Sequence, residues 1–204
     1  MITRVCQAAA GGTSLVRDGR ISPGGKRAYN AHSMDDRESS KPAGDAAGDA
    51  PEASHPVPRV GSLAAYEPVD HTADLAYLVR GRTFEELFTH AALGMFFFLT
   101  DPGRIVPRER RALRVTGRDR EECLITFLQE LLFWEETQEF LLARVEVSCA
   151  GPTEVIAEVW GERFDRARHE IQTDIKAATY HDLEFRRLAD AEGDVLEVRI
   201  VLDI

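Results

Sequence analysis

The sequence predicts an α+β domain in which two amphipathic helices pack, as a two-layer structure, on a mainly antiparallel sheet. Three observations support this class. Apolar residues recur at helical spacing in two segments, and each segment starts with a capping pattern. Short alternating segments bounded by Gly, Pro and Asp predict several strands. Two helices among such strands are typical of an α+β domain.

The first part of the chain differs from the rest in residue composition and in hydrophobic pattern. Residues 1–62 lack apolar periodicity, and small, polar and turn-forming residues dominate stretches such as 41–51. Such a segment cannot bury enough apolar surface to offset an ordering entropy of roughly 1–2 kcal/mol per residue. We therefore predict a disordered N-terminal tail over 1–62 and a folded domain over 63–204. Met34 is a candidate start residue, in which case residues 1–33 are not translated; the intact mass of the native protein tests this hypothesis.

The predicted domain opens with two strands and a helix. The strands are expected at 65–69 and 75–80. Thr83 and Glu86 have the spacing of a capping box, in which a hydroxyl and a carboxylate each accept a hydrogen bond from a free backbone N–H. The helix that follows ends before Pro102, and its buried stripe consists of Phe84, Leu87, Phe88, Ala91, Met95 and Leu99.

The rest of the domain contains a second helix and further strands. A strand at 111–117 precedes a helix that Asp119 and Glu122 cap in the same way. The buried stripe of this helix is predicted to contain Leu124, Phe127, Leu128, Leu131 and Leu132. The remaining strands are predicted at 140–149, 154–160, 176–180, 183–188 and 195–202.

Composition and charge limit the classes of function. The chain is 44% apolar, which permits a core, but no apolar run reaches the length of a transmembrane helix and no secretory signal is visible near residue 1. A cytoplasmic protein without membrane contact is therefore expected. Residues 63–204 carry 17 Lys and Arg against 28 Asp and Glu. Because an acidic surface repels phosphate, we expect no tight, direct nucleic-acid binding, and a protein partner is favoured.

Acidic residues stand near both ends of the predicted domain. Asp70, His71 and Asp74 lie within five positions, and the chain ends on Asp203 and Ile204. Carboxylate and main-chain oxygens are hard ligands that suit Ca²⁺ or Mg²⁺. One interpretation is a metal site to which Asp74, Asp203 and the main chain of Ile204 contribute. The other is that these acidic residues only cap turns at strand ends.

The histidine of the first motif is also ambiguous. Asp70 and His71 either stabilise a turn or form a pair capable of acid–base chemistry. Neither a nucleophile nor a phosphate-binding glycine loop is visible nearby. The sequence therefore speaks against the possibility that the protein is itself an enzyme, namely a small metal-dependent hydrolase that uses His71 and Asp70.

A basic, polar cluster lies in the second half of the domain. It covers 161–169, including His169, and 176–181. The cluster is either an ordinary surface loop or a contact surface. In the second case, Lys176 or His181 reaches toward the metal or toward the active site of a partner.

Together these motifs resemble the archease family, in order and in spacing, from Tyr66 to Ile204. Ala178 stands where a β-branched residue is commoner in the family, and the N-terminal tail lies outside the resemblance. The segments that carry it are Asp70-His71-Thr72-Ala73-Asp74, residues 83–88 and 91–96, Gly161-Glu162 with Arg168-His169, Lys176-Ala177-Ala178-Thr179-Tyr180-His181, and Leu202-Asp203-Ile204.

The resemblance implies a small α+β protein that is not an enzyme and that binds a divalent cation, namely calcium, with magnesium and manganese as alternatives. Carried over to this sequence, the ligands are Asp74, Asp203 and main-chain oxygen of Ile204. Further candidates for contacts near the metal or with a partner are Asp70, His71, His169, Lys176 and His181.

The resemblance also implies a partner. Archeases act as protein cofactors of an RtcB-type RNA ligase, which joins a 2′,3′-cyclic-phosphate or 3′-phosphate end to a 5′-hydroxyl end in tRNA splicing and RNA repair. The archease promotes GTP-dependent guanylylation of the ligase and so supports its turnover. The alternative that the family offers is a chaperone-like modulator of a tRNA cytosine methyltransferase.

Overall fold

The computed structural model describes residues 56–69 and 75–204, and it confirms the predicted α+β class. The helices in this part of the chain are α1 (Phe84–Leu99) and α2 (Arg120–Gln138), with a 3-10 turn at Pro102–Arg104. The strands are β1 (Arg59–Val60), β2 (Leu63–Ala64), β3 (Tyr66–Val69), β4 (Leu75–Gly81), β5 (Glu109–Thr116), β6 (Phe140–Ala150), β7 (Glu154–Arg163), β8 (Ala177–Thr179), β9 (Phe185–Asp190) and β10 (Gly193–Asp203).

The described strands pair in antiparallel fashion and form three sheets. β1 and β2 make a small hairpin. A larger sheet has the order β3-β4-β10-β8, and β9 pairs with the first part of β10 on the same side as β8. A second sheet has the order β5-β7-β6. The last strand of the chain therefore lies in the middle of the larger sheet, next to β4.

Both helices start at the predicted caps. The Thr83 hydroxyl accepts a hydrogen bond from the Glu86 backbone N–H (3.2 Å), and the Asp119 carboxylate accepts one from the Glu122 N–H (2.8 Å). In each helix the glutamate reaches back one residue further than the capping-box pattern predicts. The Glu86 and Glu122 carboxylates accept from the backbone N–H groups of Arg82 and Arg118, each at 2.6 Å.

The first helix is buried on nearly all sides because strands of both larger sheets contact it. α1 packs against β4 on one side and β6 on the other. The Tyr77 hydroxyl donates a hydrogen bond to the Ala91 carbonyl oxygen (2.9 Å), and burial raises the pKa of this phenol. Gly94 allows the close approach, since a Cβ at this position would lie 2.8 Å from the Tyr77 ring.

The second helix connects the two larger sheets. α2 contacts β5, β6 and β7 of one sheet and β8 of the other. The Gln129 side-chain amide donates to the Ala178 carbonyl oxygen at 3.0 Å, which fixes β8 against the helix. α2 buries Cys123, Leu124, Ile125, Phe127, Leu128, Leu131, Leu132 and Trp134. Neither helix in the described part of the chain combines the length and apolarity that crossing a bilayer requires.

The structure differs from the sequence prediction in two respects. The strands divide between two larger sheets, and α1 lies in contact with both. In addition, β1 falls inside the segment predicted to be disordered, and Val60 is buried in the core. Two-residue strands are too short to show an alternating pattern, so this hairpin has no sequence signal. Residues 1–55 of the predicted tail lie outside the described residues.

Candidate functional site

The C-terminal end of β10 is exposed, although the strand itself lies in the middle of the larger sheet. Asp203 is the last residue of this strand and is exposed, as is Ile204 after it. Opposite Asp203 lies Ala177, and the Asp203 carbonyl oxygen accepts a hydrogen bond from the Lys176 backbone N–H at 2.8 Å. The structure therefore brings the predicted ligand Asp203 together with Lys176, whose side chain is also exposed.

The other neighbour of this strand end is the start of β4. Leu202, which precedes Asp203, pairs with Leu75, the first residue of β4. Asp70, His71 and Asp74 lie outside the described residues, so their part in a metal site stays a prediction.

The described residues alone do not complete a metal site. Among residues 56–69 and 75–204, no three His, Cys, Asp or Glu side chains come close enough together to hold an ion. Ca²⁺ takes six to eight oxygen ligands. Asp203 and main-chain oxygen of Ile204 are suitable ligands in kind, but a site at this strand end needs further oxygens, which in the prediction come from Asp74.

A cavity lies on the side of the sheet toward which Asp203 projects. Side chains two residues apart on a strand share a face, so Arg199 and Asp203 project to the same side. On that side the sheet and the turn after β8 enclose a cavity of about 680 Å³, and Arg199 lines it together with Val69, Leu78, Tyr180 and Asp182. The cavity and the exposed strand end thus share one face of the sheet.

A buried arginine with two carboxylate partners stabilises the same face. The Arg80 guanidinium lies 2.7 Å from the Glu197 carboxylate and 2.8 Å from the Glu67 carboxylate, and it donates to the Ala64 carbonyl oxygen. The partners are far apart in sequence, so no local pattern in the sequence predicts them. They fix the end of the face that lies away from Asp203.

His181 lies at the other end of β8 from Lys176. It is exposed in the turn that follows the strand, with its Nε2 atom 3.6 Å from the Asp182 carboxylate. Asp182 has φ +54°, a left-handed conformation that is uncommon for a residue with a side chain. The two candidates Lys176 and His181 therefore lie at opposite ends of β8, and of the two only Lys176 adjoins Asp203.

A buried carboxylate holds the second predicted cluster together. The Glu162 side chain is 4% exposed, and the Arg168 guanidinium binds its two oxygens at 2.9 and 2.7 Å. The Val106 backbone N–H donates a third hydrogen bond at 2.7 Å. These bonds, above all those from Arg168, lower the pKa of Glu162 to about 2.

His169 belongs to the same buried cluster. Its Nδ1 atom accepts a hydrogen bond from the Asp165 backbone N–H (3.0 Å), so the neutral ring carries its proton on Nε2. Nε2 lies 3.2 Å from both the Arg104 carbonyl oxygen and the Glu162 carboxylate. Residues 161–169 are thus not a simple surface loop, because Glu162 and His169 anchor the segment from inside. The alternation of β7 assigns Glu162 to the outer face and gives no sign of its burial.

Comparison with known proteins places this architecture in context. A model of the archease protein family (MTH1598/TM1083) matches residues 66–204. The protein archease of Aeropyrum pernix is 37% identical over 139 residues, which cover 66% of this chain and 94% of that protein. The protein archease of Sulfurisphaera tokodaii is 30% identical over 140 residues, with 68% and 98% covered.

A solved structure is also similar. The solution structure of protein 1598 from Methanobacterium thermoautotrophicum superposes with a TM-score of 0.55 at 29% sequence identity. The match covers 69% of this chain and 99% of that chain. The family match over residues 66–204 contains the two larger sheets and both helices.

Proposed function

This chain belongs to the archease family, and from that premise we propose that it is a metal-binding protein cofactor that activates an RtcB-type RNA ligase. It promotes the guanylylation and turnover of the ligase in tRNA splicing or RNA repair, and it works in the cytoplasm as a protein partner rather than as an enzyme.

The register between β4 and β10 carries this proposal. Leu75 pairs with Leu202, so β4 begins beside the strand end that carries Asp203. Asp74 immediately precedes Leu75 in the sequence, and cross-strand neighbours in an antiparallel pair have Cβ atoms about 4.5–5.5 Å apart, within reach of one shared cation. This supports a site in which Asp74, Asp203 and main-chain oxygen of Ile204 hold Ca²⁺, with Mg²⁺ and Mn²⁺ as alternatives.

The surroundings of Asp203 suit an activator that acts on a partner. A bound divalent cation supplies positive charge that attracts phosphate oxygens. Asp203 holds that charge at an exposed strand end, and Lys176, whose backbone N–H donates to the Asp203 carbonyl oxygen, adds an exposed positively charged residue at the same end of the sheet. We propose that these groups help to position the metal or the nucleotide while the ligase is guanylylated.

Metal binding is tested with two variants of the same strand. Asp203→Asn removes a carboxylate at one end of β10, and Asp194→Asn removes an exposed carboxylate near the other end. Titration calorimetry with Ca²⁺ should show a loss of affinity of about 10-fold or more for Asp203→Asn and unchanged binding for Asp194→Asn. Equal affinity in both variants would remove the proposed site.

Activation is tested with the purified cognate ligase and radiolabelled GTP. The wild-type protein and Asp194→Asn should raise the rate of ligase guanylylation, and Asp203→Asn should not. If the wild-type protein leaves the ligase unchanged and instead alters a tRNA cytosine methyltransferase, the family's alternative role holds and the present proposal is wrong.

A further inference from the structure

An exposed aromatic side chain stands on α2. Phe133 is 52% exposed, while its chain neighbours Leu132 and Trp134 are buried. Residues three positions away on a helix lie beside each other. Glu130 and Glu136 therefore flank Phe133, which places an apolar ring between two carboxylates.

The negative charge near the C-terminal end of this helix does not serve its own stability. α2 contains five glutamates and one arginine, and its last turn has no basic residue. Negative charge near the C-terminal end of a helix opposes the helix dipole. Acidic residues at that end, Glu136 among them, therefore make the helix less stable but present negative charge to any basic surface that approaches.

The contacts of β8 locate Phe133 relative to the end of β10. Burial, and after it the negative charge of Glu122, raises the pKa of Tyr180, so Tyr180 lies within electrostatic range of the first turn of α2. Gln129 contacts Ala178 further along the helix. The strand therefore runs antiparallel to α2, and its start lies toward the C-terminal half of the helix.

The rise per residue of the helix and of the strand locates Phe133 relative to β8. Phe133 lies one turn beyond Gln129, about 6 Å along the helix and on the same side of it. Lys176 lies two residues before Ala178, about 6.6 Å along the strand. Phe133 and Lys176 therefore lie toward the same end of the α2–β8 pair, and Lys176 is hydrogen-bonded through its backbone to Asp203.

We propose that the α2 ridge, formed by Glu130, Phe133 and Glu136, is the surface on which the RNA ligase docks. This inference rests on the proposed function. Phe133 inserts into an apolar pocket of the ligase, and the two glutamates face Lys or Arg side chains around that pocket. An enzyme that binds an RNA polyanion presents such a basic surface. Docking at the ridge would also bring the C-terminal end of β10, with Asp203, toward the ligase.

The aromatic contact is tested with Phe133→Ser in the full-length protein. Calorimetric titration against the purified ligase should show affinity reduced about 10-fold or more. In the guanylylation assay the concentration for half-maximal activation should rise by the same factor, while the maximal activation stays unchanged. Val106→Ser, at another exposed apolar residue outside α2, β8 and β10, should match the wild-type protein in both measurements.

The charge contact is tested with Glu136→Lys. The lysine complements the helix dipole, so the melting temperature should not fall, whereas ligase affinity should fall and depend less steeply on salt. Glu192→Lys makes the same charge change just before the first residue of β10, about 36 Å along the chain from Asp203, and should leave affinity unchanged. An affinity of Glu136→Lys equal to that of the wild-type protein would overturn the proposal.

The outcomes separate this proposal from the function on which it rests. A wild-type protein that neither binds nor activates the ligase contradicts the proposed function itself. A wild-type protein that activates, together with a Phe133→Ser variant of equal half-maximal concentration, overturns only the docking surface. If Phe133→Ser instead dissociates a homodimer without changing ligase affinity, the ridge binds a second copy of this chain and the proposal is wrong.

Discussion

At the scale of single residues, Glu162 shows how one buried carboxylate fixes a whole segment. The Arg168 guanidinium and the Val106 N–H hold its pKa at about 2, below the value near 4.3 of a free glutamate. The ionised carboxylate therefore stabilises the folded state above about pH 4.3. This stabilisation is lost as the pH falls from there toward about 2.

Replacing Glu162 by glutamine should lower the free energy of unfolding at pH 7 by roughly 2–4 kcal/mol, because Arg168 keeps its charge and loses its partner. The same variant should lose less stability than the wild-type protein between about pH 4.3 and about pH 2. Urea unfolding at a series of pH values measures both effects. Glu158→Gln, in the same strand but in a more exposed ion pair with Arg110, should cost less than about 1 kcal/mol. An unchanged pH profile in Glu162→Gln would show that another group controls acid unfolding.

At the scale of elements, both helix starts and the end of α1 before Pro102 were predictable, and the end of α2 was not. Thr83 and Asp119 carry cap signals in residue type and spacing, and the structure has both caps. α2 ends with Glu139 at φ +54°, in the left-handed region. Glycine is the usual residue there, so a glutamate gives no sequence signal for this helix end.

Two substitutions at Glu139 isolate the effect of this backbone conformation. Both remove the glutamate side chain beyond Cβ, but only glycine also lacks Cβ and so tolerates positive φ without steric cost. We expect Glu139→Gly to be more stable than Glu139→Ala by about 1 kcal/mol, despite the greater chain entropy of glycine in the unfolded state. Chemical denaturation of the two variants measures the difference. If the Glu139→Ala variant were at least as stable as the Glu139→Gly variant, the helix end would not need the left-handed conformation.

The sequence predicts features that depend on neighbouring residues better than features that depend on contacts between distant residues. Strand and helix periods are local, so every strand from β3 to β10 was predicted within a few residues. The Arg80–Glu197 ion pair joins residues 117 positions apart, and only the fold brings them together. For the candidate site, residue type suggested Asp203 as a ligand, but its position beside the start of β4 follows from the order of strands. The burial of Glu162 depends on the loop that folds back over β7.

At the scale of the whole molecule, the similarity to archeases shows how much of the chain is shared with the family. The matching segment of about 140 residues covers 94% and 98% of two relatives, so these proteins have almost nothing that corresponds to the N-terminal tail. The hairpin of β1 and β2 lies before that segment, yet it is attached to the fold. Val60 is buried, and the Ala65 carbonyl oxygen accepts a hydrogen bond from the Arg80 N–H at 2.8 Å.

Two truncations test where the functional domain begins. A chain that starts at residue 56 keeps the hairpin, and it should melt within about 2 °C of the full-length protein and activate the ligase equally. A chain that starts at residue 66 loses the burial of Val60 and the Ala65 hydrogen bond. It should lose about 2–3 kcal/mol of unfolding free energy. Calorimetry and the guanylylation assay measure both chains. If removal of residues 1–55 lowered stability as much as the longer truncation, the N-terminal tail would be part of the folded domain, and the predicted boundary near residue 63 would be wrong by far more than the hairpin.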